Sequence, residues 1–244
     1  MLFASTAGIW LHMDFQPIGY IQSCFKEKFG TPRQPSLVPE STASLKIRSD
    51  LQPQEALVGL EQFSHVWVIF EFHKNANKKF YPKVSPPRLN GETMGLFATR
   101  SPHRPNPIGL SCVKLERIEG DTLYFSGIDL IDGTPVLDIK PYVVSVDSVP
   151  QATVGWLDKT ENKRLDVSFS EEAMGNLQDF QDKNLKTMIT QILENDPRNS
   201  MDRELSRQNK TLGFYLGEAN VVFSVEATKA IVIRIESRHT KLSQ

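Results

Sequence analysis

The chain has 244 residues, enough for one large domain or for a medium domain with a smaller second one. Its 39% hydrophobic and 23% charged residues are a globular balance that excludes global disorder. The longest apolar run, Val66–Phe70, is far shorter than the ~18 residues of a membrane-spanning helix, so we expect a soluble protein. A net charge of −1 excludes a uniformly basic nucleic-acid binder.

The first fifteen residues lack the basic and long apolar regions of a signal peptide. We therefore expect residues 1–13 to be a disordered leader, with Met13 as an alternative start. Cys24 and Cys112 lie in apolar, strand-like sequence and are expected to be buried free thiols, which suits a reducing cytoplasm. No CxxC or HxxxH spacing occurs, so no metal site is expected.

Residues 14–147 are predicted to form a mainly β, closed or nearly closed barrel, because short apolar segments alternate with turn signals. Gln54–Gln62 is predicted as one short helix, and Glu119-Gly120-Asp121 as a hairpin turn. In His65–His73, alternation places Val66, Val68, Phe70 and Phe72 in the core and leaves a mixed face as a pocket wall. The predicted strands are Phe15–Cys24, Ser44–Ser49, His65–His73, Met94–Thr99, Ile108–Ile118, Thr122–Leu130 and Pro135–Tyr142.

Residues 148–165 are polar and aperiodic and are predicted as a linker before a small α+β domain at 166–240. Ser170, followed by two acids, is typical of a helix N-cap, and Pro197 would end the helical pattern. The residues at helical spacing are Leu177, Phe180, Leu185, Met188, Ile189 and Ile192. The predicted strands of this domain are Phe214–Tyr215, Val221–Val225 and Ile231–Ile235.

Positive charge is concentrated between Lys74 and Arg104, a segment that contains seven basic residues and only one acidic residue. Such a segment can dock phosphates although the whole chain is nearly neutral, because screening confines its field to ~10 Å. The alternative is a solvated loop rich in lysine. The candidate RNA-binding residues are Lys78, Lys79, Lys83, Arg88, Arg104 and Lys140.

The loop Thr99–Pro107 contains three prolines, two arginines and a histidine. Prolines restrict the loop, and arginine forks suit carboxylates or phosphates, so the pattern favours an anion-binding loop over a structural turn with salt bridges. In the segment after the Asp132-Gly133 turn, alternation predicts that Val136, Asp138, Lys140 and Tyr142 share one side, with Leu137 and Ile139 in the core. The alternative is an ordinary hairpin with an Asp138–Lys140 ion pair.

No GxGxxG, GxxxxGK[ST] or GxSxG motif occurs, so a bound cofactor needs a non-Rossmann site. The chain instead resembles the TsaA-like (TrmO) tRNA methyltransferases over residues 14–147. The resemblance is carried, in the family's order, by the blocks KEKFGTPRQP, GLEQFSHVWVIFEFH, PPRLNG, GLFATRSPHRPNPIGLS and DLIDGTPVLDIKPY. The Glu194–Arg198 block is similar to the C-terminal part of the bacterial branch.

This resemblance implies a β-barrel that uses S-adenosylmethionine to methylate N6 of threonylcarbamoyladenosine beside the tRNA anticodon. It also implies a homodimer with the cofactor site near the subunit interface. Lys74 departs from the polar uncharged residue of relatives, and Asn199 from their proline. The implied cofactor contacts are Pro32, Arg33, Gln34, His73, Lys74, Arg100, Leu110, Asp132, Gly133, Thr134 and Pro135.

Strand facing suggests Asp138 or Tyr142 as the acceptor of the proton lost from the substrate nitrogen; water is the alternative. The base could stack on Trp67 or Tyr142. Two other functions remain open: a non-catalytic barrel that binds RNA or an adenosine ligand, and a hydrolase that uses Asp132 and Asp138 as paired carboxylates.

Overall fold

The structure is a computed structural model that describes residues 14–75, 79–89, 91–160, 164–199, 202–203 and 211–238. The predicted leader and the candidate residue Lys78 lie outside these ranges. Within them, no helix has the length and apolar character needed to cross a membrane.

A closed six-stranded barrel forms the N-terminal part, with strand order β1-β2-β7-β6-β3-β8 and antiparallel pairing throughout. The predicted barrel is therefore confirmed. Its strands, together with a two-stranded ribbon of β4 and β5, are β1 Gly19–Ser23, β2 Thr42–Ile47, β3 His65–Glu71, β4 Lys83–Val84, β5 Met94–Gly95, β6 Ile108–Glu119, β7 Thr122–Ser126 and β8 Pro135–Pro141. Two short helices are α1 Pro53–Ala56 and α2 Val144–Asp147.

The barrel core follows the period-two pattern of β3, in which Val66 and Val68 are fully buried and Phe70 is nearly so. Phe70 lies opposite Gly109 of β6. A Cβ atom at Gly109 would come 2.2 Å from the Phe70 ring, so glycine at this position lets the ring fill the barrel.

Three predicted elements are shorter than the apolar pattern suggested. The predicted Gln54–Gln62 helix is split into α1 and a 3₁₀ turn at Leu60–Gln62, because Gly59 adopts a φ of +87° between them. The predicted Met94–Thr99 strand is extended only in β5, and a 3₁₀ turn follows at Leu96–Ala98. The predicted Thr122–Leu130 strand ends at Ser126, before Gly127 with a φ of +65°.

The predicted facing of β8 was wrong at its start. Val136 pairs with Phe70 and Asp138 pairs with Ile69, so a bulge at Leu137 inserts one extra residue. Val136 is consequently fully buried in the core, whereas Asp138 lies on the outer face. Alternation holds only beyond the bulge, because a one-residue insertion moves every earlier side chain to the other face.

The C-terminal part is α+β, as predicted. Its sheet has the order β10-β11-β12-β9, with β9 parallel to β12. The single helical pattern resolves into two α-helices joined by a 3₁₀ turn and a short loop. The elements are β9 Asp166–Phe169, α3 Glu171–Asn176, α4 Leu185–Glu194, β10 Leu212–Leu216, β11 Ala219–Glu226 and β12 Lys229–Ser237.

The two parts share one continuous hydrophobic core. Phe29, from the loop after β1, stacks on Phe223 at 6.3 Å and meets the edge of Phe214 at 6.4 Å between ring centroids. Phe25 forms a β-bridge with Leu216. The C-terminal part therefore holds the loop after β1 in place, which matters because that loop leads to the predicted cofactor residues.

The structure confirms the Ser170 cap, whose Oγ accepts from the Ala173 N–H at 3.0 Å and donates to the Ile233 carbonyl at 2.5 Å. We expect Ser170→Ala to lower the free energy of unfolding by about 1–2 kcal/mol, since a cap bond and a link to β12 are both lost. Urea denaturation would measure the loss. Ser148→Ala, at an exposed serine, is the matched control; equal losses in both variants would contradict the capping role.

Candidate functional site

The loops at one end of the barrel are held together by polar contacts around Asn75. Its side-chain amide donates to the Pro102 carbonyl at 2.7 Å and accepts from the Lys28 ammonium at 3.3 Å. The Phe72 N–H donates to the Pro107 carbonyl at 2.7 Å. The loop after β1, the end of β3 and the proline-rich loop therefore meet at this end.

Arg100 connects the proline-rich loop to the loop after β1, because its guanidinium donates a short hydrogen bond to the side-chain oxygen of Gln34. Arg100 and Gln34 were both predicted as cofactor contacts, and the structure brings them together. Arg100 is exposed, and its fork retains further donors for an anion.

Asp129 adds a carboxylate to the same end of the barrel. Its Oδ1 accepts a hydrogen bond of 2.7 Å from the hydroxyl of Ser111, which is almost completely buried on β6. Burial raises the pKa of Asp129 to about 6, against the opposing effects of the Ser111 hydrogen bond and the charge of Arg100. The carboxyl group is thus close to titration near neutral pH and lies within the field of Arg100.

The turn Asp132–Pro135 is clamped onto β1. The Asp132 carboxylate accepts from the Ser23 N–H at 2.9 Å and pairs with the Lys26 ammonium at 3.1 Å. Gly133 has a φ of +77°, and open space surrounds the position of its missing Cβ, so a ligand could approach the backbone closely here. Thr134 is buried and donates to the Ile131 carbonyl at 2.6 Å.

The remaining predicted cofactor residues differ in accessibility. Leu110 is 55% exposed on the outer face of β6. His73 is half-buried, and burial, followed by the charge of Lys74, lowers its pKa, so its ring is neutral at pH 7. Pro32 is half-buried, and the Arg33 guanidinium donates to the Arg198 carbonyl at 2.8 Å, toward the C-terminal part.

The proposed proton acceptors lie on the outer face of the barrel. Strand register places Leu110, Ile69 and Asp138 in one row across β6, β3 and β8, so Leu110 and Asp138 are roughly 10 Å apart. The Asp138 carboxylate pairs with Lys140 at 2.9 Å, as the alternative interpretation of this segment expected. Tyr142 meets the edge of the Trp67 ring at 5.6 Å.

The candidate RNA-binding residues that the structure describes lie on several different elements. Lys83 and Arg88 are exposed on β4 and on the 3₁₀ turn Pro87–Leu89. Lys79 lies over the Tyr81 ring at 5.4 Å, and Arg104 over the Phe97 ring at 5.6 Å. Lys140, in contrast, is engaged with Asp138 on the barrel's outer face.

Sequence reasoning missed three residues of this site. Asn75 follows the motif histidine by two positions and carried no separate signal, and Asp129 lies between two apolar residues, which could have marked a buried acid. Trp156, in the predicted linker, donates from its indole N–H to the Ala98 carbonyl at 2.8 Å. The 3₁₀ turn Gly155–Lys159 is therefore docked beside the proline-rich loop.

The cysteines are half-buried free thiols in the described part of the chain, and Cys24 lies just beyond β1. Burial raises the pKa of the Cys24 thiol to about 11, which keeps it protonated and unreactive at neutral pH.

Comparison with known proteins identifies relatives of both parts of the chain. Residues 20–148 match the family model of the tRNA-methyltransferase O N-terminal domain, and residues 162–238 match that of the TrmO C-terminal domain. A mouse protein named tRNA (adenine(37)-N6)-methyltransferase is 57% identical over 141 residues, covering 57% of this chain and 33% of the mouse protein. The chain thus spans about a third of the length of this mammalian relative.

Bacterial relatives match over nearly their whole length. An Escherichia coli protein of the same name is 38% identical over 232 residues, covering 92% of this chain and 98% of that protein. The crystal structure of TrmO from Pseudomonas aeruginosa superposes with a TM-score of 0.75 at 36% identity, covering 93% of this chain and 99% of that one. With both halves matched in sequence and in fold, the chain belongs to the tRNA-methyltransferase O family.

Proposed function

We propose that this protein transfers a methyl group from S-adenosylmethionine to N6 of threonylcarbamoyladenosine at position 37 of tRNA. The observation that carries the proposal is the convergence of Gln34, Arg100, Asp129 and the Asp132–Pro135 turn at one barrel end. Family membership supports it, since relatives that cover this chain are named tRNA (adenine(37)-N6)-methyltransferases.

The residues present fit the cofactor. Arg100 offers a planar fork for its carboxylate, and Asp129 a carboxyl group for its ammonium or sulfonium charge. The open space at Gly133 admits close approach to the turn, and Leu110 offers exposed apolar surface for a purine. A positively charged methyl donor of this kind supplies an activated methyl group on sulfur.

The protein's share of the catalysis is positioning. Transfer moves the methyl group from sulfur to N6, leaves a neutral thioether and releases one proton from the substrate nitrogen. The Arg100 guanidinium, oriented by Gln34, would help to fix the distance between the methyl donor and the substrate nitrogen. Such positioning is the main way in which a displacement of this kind is accelerated. We propose Asp138, Tyr142 or water as the proton acceptor; the Asp138 carboxylate pairs with Lys140 on the outer face of the barrel.

The anticodon stem–loop of tRNA is the proposed substrate surface. Lys79 and Arg104 lie over exposed aromatic rings, of which Phe97 is 75% exposed, and Lys83 and Arg88 are themselves exposed. Cations next to exposed rings suit unpaired RNA, in which bases stack and phosphates need counter-charges. Trp67 and Tyr142 are half-buried against each other, so Phe97 offers the more open stacking surface.

We further propose a cytoplasmic homodimer. An apolar strip extends from the outer face of the barrel, where Leu110 is exposed, to the exposed valines of α2. The charge of Asp147 on α2 contributes to raising the pKa of Cys112 on β6, so the two elements are close together. Such a strip is larger than isolated apolar residues on a monomer surface. The exposed members are Ile108, Leu110, Val143, Val144, Val146 and Val149.

A charge in this strip should separate the subunits. We expect Val146→Asp, at a side chain that is 76% exposed, to shift the protein from dimer to monomer in sedimentation at micromolar concentration. Val58→Asp is the matched control, because Val58 is 79% exposed elsewhere on the barrel. A monomeric wild type, or a dimer that both variants leave intact, would show that this strip is not the interface.

The function is tested with tRNA from a strain that lacks the gene, analysed by nucleoside mass spectrometry. The N6-methylated form of threonylcarbamoyladenosine should disappear and return when the gene is restored. If it persists undiminished, the enzymatic proposal fails. Calorimetric titration with S-adenosylmethionine separates the alternative of a non-catalytic RNA-binding barrel, which would release no heat. The hydrolase alternative is disfavoured, because Asp132 and Asp138 each pair with a different lysine.

A further inference from the structure

Three arginines from distant parts of the chain meet between the barrel and the C-terminal part. Arg33 donates to the Arg198 carbonyl at 2.8 Å. Arg203 donates to the Pro87 carbonyl at 3.4 Å, next to Arg88. These contacts bring the loop after β1, the 3₁₀ turn Pro87–Leu89 and the segment after α4 to one place.

A single carboxylate organises this cluster. Asp196 is nearly buried, adopts a φ of +43° and accepts two hydrogen bonds from the Arg198 guanidinium, at 2.7 and 3.1 Å. Its second oxygen also pairs with Arg203 at 3.3 Å. The two ion pairs hold Asp196 in the left-handed conformation, which asparagine and aspartate tolerate better than most residues.

Among the described residues, positive charge exceeds negative charge at this place. The Arg198 guanidinium binds Asp196 with two hydrogen bonds and neutralises most of its charge, so the charges of Arg33, Arg88 and Arg203 are in excess. Partial burial lowers the pKa of Arg33 although the residue is exposed overall; Asp196 opposes this effect, and the charges of Arg203 and Arg88 add to it. The nearby Asp202 carboxylate accepts from the Asn199 N–H at 3.1 Å.

The surplus guanidinium groups remain accessible. Arg33 and Arg88 are exposed, and the Arg203 side chain keeps 34% of its surface exposed. In the described parts of the chain, Arg88 makes neither an ion pair nor a hydrogen bond. Guanidinium groups in such an array favour an anion with several oxygens, and a phosphodiester offers two unesterified ones.

We propose that Arg33, Arg88 and Arg203 form a phosphate clamp that binds the tRNA backbone across the junction of the two parts. The clamp rests on the proposed function, because that function supplies the RNA. It assigns the Arg33 side chain to the nucleic acid, whereas the family resemblance placed Arg33 at the cofactor. It also explains why the C-terminal part is fastened to the loop that carries Gln34.

Binding of labelled full-length tRNA at several salt concentrations tests the clamp. We expect Arg88→Gln and Arg203→Gln each to weaken tRNA binding about tenfold and to lower the slope of log Kd against log salt by about 0.7–0.9 per lost contact. S-Adenosylmethionine affinity, measured by calorimetry, should not change in either variant. Arg203→Lys keeps the charge but loses the fork, and should recover only part of the affinity.

The matched control is Arg117→Gln, which removes one exposed positive charge from β6. Arg88 has no hydrogen-bond or ion-pair partner among the described residues, so Arg88→Gln removes no such contact there and should not disturb folding. The clamp is overturned if Arg88→Gln and Arg203→Gln leave the tRNA affinity and the salt slope unchanged although the wild type methylates tRNA. A parallel loss of cofactor affinity would also overturn it, by assigning these arginines to the methyl donor. Failure of the proposed function would show separately, as absent methylation by the wild type.

Discussion

At pH 7.5, Asp129→Asn should raise the free energy of unfolding by about 3 kcal/mol. Burial raises the pKa of this carboxyl to about 6 from an ordinary value of 3.8, and each unit corresponds to about 1.4 kcal/mol. The ionised wild-type side chain is therefore destabilising at this pH. Asparagine is neutral, and its side-chain oxygen can still accept the hydrogen bond from Ser111.

The sign of the pH dependence follows from the raised pKa of Asp129. Well below pH 3.8 the carboxyl is protonated in both the folded and unfolded states, and the protonated form is the one that the folded protein favours. The stability that the protonated Asp129 carboxyl provides is lost as the pH rises from about 4 to about 6. The stability advantage of the Asn variant over the wild type should therefore grow over this pH range. Urea denaturation from pH 4 to pH 7.5 would measure it.

Asp121→Asn is the control for this experiment. Asp121 is half-buried, and a hydrogen bond from Thr122, together with Lys46, lowers the pKa of its carboxyl. Its replacement should therefore not stabilise the protein at any pH in this range. An Asp129→Asn variant that is no more stable than the wild type at pH 7.5 would contradict the assignment of a buried, unfavourable charge. Retaining such a charge is typical of a functional site, where stability is exchanged for activity.

Arg100→Ala should weaken S-adenosylmethionine binding about 100-fold. Its guanidinium is the candidate partner of the cofactor carboxylate, and losing a charge-assisted fork costs about 2.5–3 kcal/mol, which corresponds to about 100-fold in Kd. The variant also frees the Gln34 side chain, which Arg100 orients. Calorimetric titration would give the Kd directly, and methyl transfer to tRNA should fall by a similar factor in kcat/KM.

Two further variants sharpen the result for Arg100. Arg100→Lys keeps the positive charge but not the planar fork, so it should restore only part of the affinity. Arg104→Ala removes the neighbouring cation, which covers the Phe97 ring and donates to the Thr99 carbonyl at 2.9 Å. It should weaken tRNA binding and leave the cofactor Kd unchanged. Tight cofactor binding by Arg100→Ala would remove Arg100 from the cofactor site.

Sequence patterns predicted the barrel and the α+β character of the C-terminal part, and the signature blocks indicated the family. Short-range rules govern these features: period-two alternation buries one face of β3, and a serine before two acids caps α3. The signature blocks indicated Gln34, Arg100 and the Asp132–Pro135 turn as candidate cofactor residues without any structural distance, because a sequence motif is recognised from the order and spacing of its residues.

Tertiary structure decided the features that depend on contacts between distant segments. The β8 bulge appears only in the pairing with β3, and it moved Val136 into the core. The fold buries Asp129, which raises its pKa, and brings it within hydrogen-bonding distance of Ser111, 18 positions away. The arginine cluster depends on contacts of Arg33 with the Arg198 carbonyl and of Arg203 with Asp196 and with the Pro87 carbonyl beside Arg88. Local propensity acts over a few residues, whereas burial and charge pairing are set by which segments the fold brings together, so only the folded chain could show these sites.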